Sequence, residues 1–156
     1  MSKFIQVAID SPAAAGAGTQ AKLIANHYNL FYLDTGKIYR FIGNLKIQYK
    51  KKFKGSILDG RDITSVIMKK AMFKFYITAN VQTRALRRYK ELRSLNKKIT
   101  YQEVIKSIKI RDKSDYNRKI SPLKKTKDSI LINTSNLTKR SCFLKIKKIM
   151  DKKLKY

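Results

Sequence analysis

Apolar positions along the chain fall into short runs separated by longer amphipathic stretches. Phe4-Ile5-Gln6-Val7-Ala8-Ile9 is apolar and β-branched, and its length predicts a strand. Ser11 to Gly18 is built of small residues and reads as a loop. Thr19 to His27 has helical spacing, with Leu23 and Ile24 on the buried side. Further strands are predicted at Leu30 to Leu33, Ser56 to Leu58, Phe73 to Thr78 and Ser129 to Ile132. Asn80 can N-cap a helix from Val81 to Leu95, with Val81, Ala85, Leu92 and Leu95 facing inward. Thr100 and Glu103 fit a capping box that opens a helix with Val104, Ile105 and Ile108 as its apolar stripe, and Pro122 closes that region. Thr138 can cap a last helix to Asp151, with Leu144 and Ile149 inward. Lys50 to Gly55 reads as a linker. Strands alternating with helices predict an α/β fold with a doubly wound parallel sheet.

Composition narrows the chemistry. The 156 residues amount to one domain, residues 1–156, and a hydrophobic share of 43% argues against disorder throughout. No apolar run approaches the roughly 18 residues of a transmembrane helix, and Asp10 interrupts the first apolar patch too early for a signal peptide. A soluble, cytoplasmic monomer is expected, without membrane association. One cysteine, Cys142, excludes an internal disulfide and a multi-cysteine metal site. One histidine, His27, excludes His-rich metal chemistry and leaves little room for a Ser-His-Asp triad.

Charge changes the picture more than composition does. Lys+Arg is 37 and Asp+Glu is 10, a formal net charge of +27. Lys3 and Lys22 balance Asp10 and Asp34 in the first 36 residues, so the whole excess lies beyond Gly36. Such a surface attracts polyanions, nucleic acid included, through nonspecific charge. Lysine outnumbers arginine 28 to 9, with Ile, Asn and Tyr abundant as well, which is also what compositional drift produces.

The strand, small-residue loop and helix of residues 4–27 suggest a phosphate site, because N–H groups at a helix start suit an anion. The usual pattern is G-x-x-x-x-G-K-[ST]. Here the loop reads Ser11-Pro12-Ala13-Ala14-Ala15-Gly16-Ala17-Gly18-Thr19. Gly16, Gly18 and Thr19 fit; Ser11 stands at the first glycine, and Ala17 stands at the lysine.

The neighbouring motifs are more specific than the loop. Val7-Ala8-Ile9-Asp10 and the loop are followed by Leu33-Asp34-Thr35-Gly36-Lys37-Ile38-Tyr39-Arg40. Then come Asp59-Gly60-Arg61-Asp62-Ile63, Arg87-Arg88-Tyr89, and Ile110-Arg111-Asp112 with Asp115, Arg118, Pro122 and Leu123. In this order, over nearly the whole chain, these motifs resemble the bacterial cytidylate kinases. The resemblance implies transfer of the γ-phosphoryl group of ATP to CMP or dCMP, with Mg²⁺, on a P-loop nucleoside monophosphate kinase-like five-stranded parallel sheet. It implies that Thr35, Arg40, Asp115 and Arg118 bind the acceptor and that Arg111, Asp62 and Arg61 serve catalysis. Arg84, Arg87 and Arg88 would lead into a lid, and Asp59 would orient a hydrated Mg²⁺. Arg111, Asp115 and Arg118 are spaced four and three apart, which predicts that all three lie on one helical face.

The chain also departs from that pattern. Ala17 removes the lysine that reaches the β- and γ-phosphates, and losing one such stabiliser costs about 10²–10³ in rate. Ser11 and Ala14 replace loop glycines, and their Cβ atoms are expected to hinder positive φ angles. Thr64 replaces a glycine and Asn133 an aspartate. Only 18 residues separate Arg40 from Asp59, so the acceptor-binding insert is largely deleted. Three readings stay open: an impaired cytidylate kinase, a nucleotide-binding pseudoenzyme, and a basic nucleic-acid-binding protein.

Overall fold

The computed structural model describes residues 4–34 and 53–155. Its strands are β1 (Ile5–Asp10), β2 (Leu30–Asp34), β3 (Gly55–Gly60), β4 (Phe73–Thr78) and β5 (Ile130–Asn133). Its helices are α1 (Ala17–Tyr28), α2 (Val81–Ser94), α3 (Tyr101–Asn117) and α4 (Lys139–Leu154), with a π-helical turn at Ile63–Ile67. The sheet order is β2-β3-β1-β4-β5 and every pairing is parallel. The predicted α/β class and five-stranded parallel sheet are therefore what forms.

The central strand explains itself. Val7, Ala8 and Ile9 are wholly buried, as expected where a parallel sheet is covered on both faces and its strands lose polar alternation. Val7 and Ile9 join a core with Ile24 of α1, Phe75 and Ile77 of β4, and Cys142, Ile146 and Met150 of α4. Ala8 points to the other face and packs with Leu58 and Ile63. Helices α2 and α3 pack on each other through Ala85, Leu92, Val104 and Ile108. β3 begins at a glycine because its backbone runs against β1. A Cβ on Gly55 would lie 1.9 Å from the Ile5 carbonyl oxygen.

Three side chains expected inside are outside: Leu23, Leu95 and Leu144 are 37%, 62% and 51% exposed. On α4 the reason is angular. The buried residues are Cys142, Ile146 and Met150, spaced by four, and a residue two positions from the first of them lies across the helix. The helices otherwise start as expected at their caps. Asn80 accepts from the Thr83 N–H, Thr138 from the Ser141 N–H, and Thr100 with Glu103 forms the full capping box. α1 starts at Ala17, two residues earlier than predicted. α3 ends at Asn117, before Pro122 is reached. Of the predicted linker, only Phe53 to Gly55 falls within the described residues.

Candidate functional site

The small-residue loop lies where β1 hands over to α1. Ser11 N–H donates to the Gly60 carbonyl at 3.1 Å, which ties the loop's start to the end of β3. Ala14 then takes φ 58° and Gly16 φ 93°. The left-handed φ at Ala14 is therefore adopted despite its Cβ, at a cost of about 1–2 kcal/mol. Ser11 does not share it: the residues other than glycine with positive φ are Ala14, Asn29, Asn96, Ser121 and Lys155 among those described. The first helical bond of α1 runs from Gln20 N–H to the Gly16 carbonyl at 3.1 Å. Upstream of it, the Ala17, Gly18 and Thr19 N–H groups have no acceptor within the helix, and the helix dipole is positive there.

Two buried contacts from α2 hold the loop in this shape. Arg84, 4% exposed, donates from Nη1 to the Ala13 carbonyl at 3.1 Å and from Nε to the Ala79 carbonyl at 3.0 Å. It also grips Asp112 of α3 with both ends, Nη1 to Oδ1 at 2.9 Å and Nη2 to Oδ2 at 2.6 Å. Arg87 donates to the Ala15 carbonyl at 3.4 Å and to the Thr134 hydroxyl and carbonyl at 2.9 and 2.7 Å. The Thr134 hydroxyl itself donates to the Ala15 carbonyl at 3.1 Å. In a planar trans peptide the N–H points opposite to the preceding C=O. Holding the Ala13 and Ala15 carbonyls towards α2 therefore turns the Ala14 and Gly16 N–H groups the other way. Arg84 and Arg87, expected on the helix that leads into a lid, are both anchored to the loop's carbonyls. Arg88 alone of the three is on the solvent side, 45% exposed and paired with Glu91 at 2.8 Å.

Asp10, at the end of β1, is wholly buried. It accepts from the Ile63 N–H at 2.7 Å, the Thr64 N–H at 2.9 Å and the Thr64 hydroxyl. Burial pushes its carboxyl above the ordinary range, against the pull of these bonds from Thr64 and Ile63. This hub ties the loop to the π-helical turn that follows Asp59-Gly60-Arg61-Asp62. Sequence reasoning passed over the hydroxyl of Thr64, because its partner lies 54 residues away.

At the C-terminal edge of the sheet, Arg61 Nε donates to Asp115 Oδ2 at 2.7 Å. Arg118 Nη2 lies 3.9 Å from Asp62 Oδ2, and Arg118 Nε donates to the Ser121 carbonyl at 2.5 Å. Arg61, Asp62, Asp115 and Arg118 thus form two neighbouring ion pairs. Arg118 reaches there because α3 has ended: its φ of −62° and ψ of 138° are extended, so it does not continue the helical face predicted for it. Its buried Nη2 has no hydrogen-bond partner among the described residues. Arg111, one helical turn before Asp115 on α3, is exposed and makes no ion pair among the described residues. Thr35 and Arg40 lie outside the described residues.

Asp59 and Tyr32 complete the edge. Asp59 Oδ2 and the Tyr32 hydroxyl each lie 3.5 Å from where a Cβ on Gly18 would stand. The two side chains share a hydrogen bond. Burial, then the neighbouring charge of Asp34, raises the Asp59 carboxyl. Burial and Asp59 likewise push the Tyr32 phenol up. Among the described residues there is no group of three His, Cys, Asp or Glu that could hold a metal. Asp59, whose Oδ2 stands beside Gly18 in the first turn of α1, nevertheless suits Mg²⁺. That ion keeps most of its waters and is usually held by one or two carboxylates plus substrate phosphates.

The cytidylate kinase family model matches this chain over residues 7–54 and 42–152. A cytidylate kinase from Clostridium botulinum strain Loch Maree is 34% identical over 213 aligned residues, which cover 95% of this chain and 95% of that protein. One from Bartonella henselae is 33% identical over 199, covering 92% of each. An alignment of 213 positions exceeds the 156 residues of this chain, so the relative carries residues that this chain lacks. Among solved structures, an uncharacterized protein from Eubacterium ventriosum has the same fold. Its TM-score is 0.70 at 17% identity, covering 96% of this chain and 99% of that one.

Proposed function

The chain belongs to the cytidylate kinase family, and we propose that it transfers the γ-phosphoryl group of ATP to CMP or dCMP at a rate lowered by the missing loop lysine. The observation that carries this reading is the pair of ion pairs at the sheet edge, Arg61–Asp115 and Arg118–Asp62. Arg118 Nη2, 3.9 Å from Asp62 Oδ2, has no hydrogen-bond partner among the described residues. An acceptor phosphate would supply its missing partner.

Phosphoryl transfer asks a protein mainly for position and positive charge. The loop supports the donor side, where N–H groups of residues 14 and 16–19 face away from α2 or open the first turn of α1. Arg118 would take the acceptor phosphate together with Arg40, and Arg61 would be fixed beside it by Asp115. Thr35 joins the acceptor site by resemblance. Arg111, being exposed, would meet the transferring group from the solvent side, and Arg88 is the remaining candidate for a lid arginine. Asp59 and Thr19 would hold Mg²⁺, which supplies charge neutralisation on the phosphate oxygens. Ala17, 4% exposed, contributes no charge to the loop. The expected deficit is about 10²–10³ in turnover. That same deficit favours a second reading, nucleotide binding without useful transfer.

The deciding experiment is CDP formation from CMP, ATP and Mg²⁺, by the chain and by Ala17→Lys. Slow turnover that rises in the variant supports the proposal. Nucleotide binding with no turnover in either protein would replace it with the pseudoenzyme reading.

A further inference from the structure

Asp112 and the buried charge of Arg84 have no part in the chemistry above, yet they join its two halves. We propose that Arg84 and Asp112 are positioning residues that tie the phosphate loop to α3 and so set the separation of donor and acceptor. The inference rests on the phosphoryl-transfer reading and deepens it. Arg84 is one rigid fork with four bonds: Ala79 at the start of α2, Ala13 in the loop, and both oxygens of Asp112 on α3. Asp112 follows Arg111 directly and precedes Asp115 by three residues, so a shift of α3 reaches the loop through this guanidinium as well as through the packing of Ala14 against the α2–α3 cluster. An ammonium group could not replace it, lacking the planar fork.

The fork also lies beside the strained residue. Ala14, at φ 58°, sits between the carbonyl held by Arg84 and the carbonyl held by Arg87. Non-glycine residues keep such a φ when their surroundings over-determine it. A buried ion pair is weak support for stability, because its desolvation offsets its attraction. Its four-point geometry accounts for this one better: it fixes where the loop's N–H groups point.

Charge and position predict opposite signs, which makes the test sharp. Asp112→Asn removes an acid from beneath an anion site. By charge alone, inorganic pyrophosphate would then bind more tightly. Loss of positioning instead weakens pyrophosphate binding, measured by calorimetry on the full chain, by about tenfold. Glu91→Gln removes the same charge from the exposed side of α2 and should leave binding within about twofold. Without any ligand, ¹⁵N order parameters of Ala14 and Gly16 should fall from about 0.85 towards 0.6 in Asp112→Asn and in Arg84→Lys, while those of Val7 and Ile9 hold. Tightened or unchanged pyrophosphate binding with rigid loop amides would overturn the proposal. If the unaltered chain binds no pyrophosphate or nucleotide, the phosphoryl-transfer reading fails, and the order parameters alone decide the tether: mobile amides in the variants support it, rigid ones overturn it.

Discussion

Replacing Thr64 by Val tests the hub at the end of β1. The residue is 1% exposed, and the swap keeps its shape while removing one donor to Asp10. The Ile63 and Thr64 N–H groups continue to donate, at 2.7 and 2.9 Å. A hydrogen bond to a charged group contributes about 1.5–3 kcal/mol, and the added methyl returns at most about 0.8 kcal/mol. A net loss of about 1–2 kcal/mol follows, which at a urea slope of about 2 kcal/mol per molar lowers the midpoint by about 0.5–1 M. The pH dependence carries the sharper signature. Burial already holds the Asp10 carboxyl above its ordinary range in the folded state, and the Thr64 hydroxyl is the largest influence pulling it back. The variant raises it further. A carboxyl raised on folding binds more protons folded than unfolded, so its contribution is present at low pH and is lost as pH rises through the folded value. The deficit of Thr64→Val should therefore be largest near neutrality and shrink on acidification. Urea titrations from pH 4 to 8 measure it. A variant as stable as the parent at pH 7, or a deficit that grows towards acid, would refute the reasoning.

Other substitutions probe the loop, the sheet and a cap. Ala14→Gly removes about 1–2 kcal/mol of left-handed strain and adds about 0.4–1 kcal/mol of unfolded-chain freedom, so thermal melts should show equal or slightly higher stability; a clear drop contradicts the φ of 58°. Gly55→Ala puts a carbon 1.9 Å from the Ile5 carbonyl oxygen and should cost about 3 kcal/mol or more; near-native stability by urea titration would show the β1–β3 approach to be wrong. Thr100→Ala should cost about 1 kcal/mol. The bonds from Thr100 hold Glu103 below the ordinary carboxylate range, so that contribution is present above the ordinary range and fades as pH falls through the lowered value; a Thr100→Ala deficit that persists undiminished in acid speaks against it. On the nucleic-acid reading, oligonucleotide binding should fall steeply between 50 and 200 mM salt, each phosphate contact adding about −0.7 to the single-strand salt slope; filter binding that persists unchanged at high salt would count against that reading.

The periodicities that mark strands and helices act over a few residues, and those were legible. The apolar run before Asp10, the small-residue loop and the Thr100 capping box all stand within a residue or two of their predicted places. Contacts across the fold were not. Arg84 reads as one more cation on a basic helix, because its partners Ala13 and Asp112 become neighbours only when the sheet brings β1, α2 and α3 together. Arg118 reads as part of the α3 face because its spacing from Asp115 is helical, and nothing local announces that the helix stops at Asn117. Leu144 reads as core because leucine usually is, yet the smaller Cys142 holds that side of α4. The order of the motifs along the chain was thus visible, while the way the arginines divide between holding the loop and pairing at the sheet edge required the fold.

β2 and β3 lie side by side and parallel, with Asp34 opposite Asp59 and Leu30 opposite Gly55. The chain therefore departs at one rim of the sheet and must re-enter at the other, a traverse of about 17 Å for five residues of strand. A parallel return takes about a dozen residues, and residues 35–54 are there to make it. The chain is shorter than the alignment with the botulinum protein, yet all five strands of the parallel sheet form. A segment of different length spliced between Asp34 and Gly55 would join the same two strand ends, so the connection could be exchanged without redrawing a single strand.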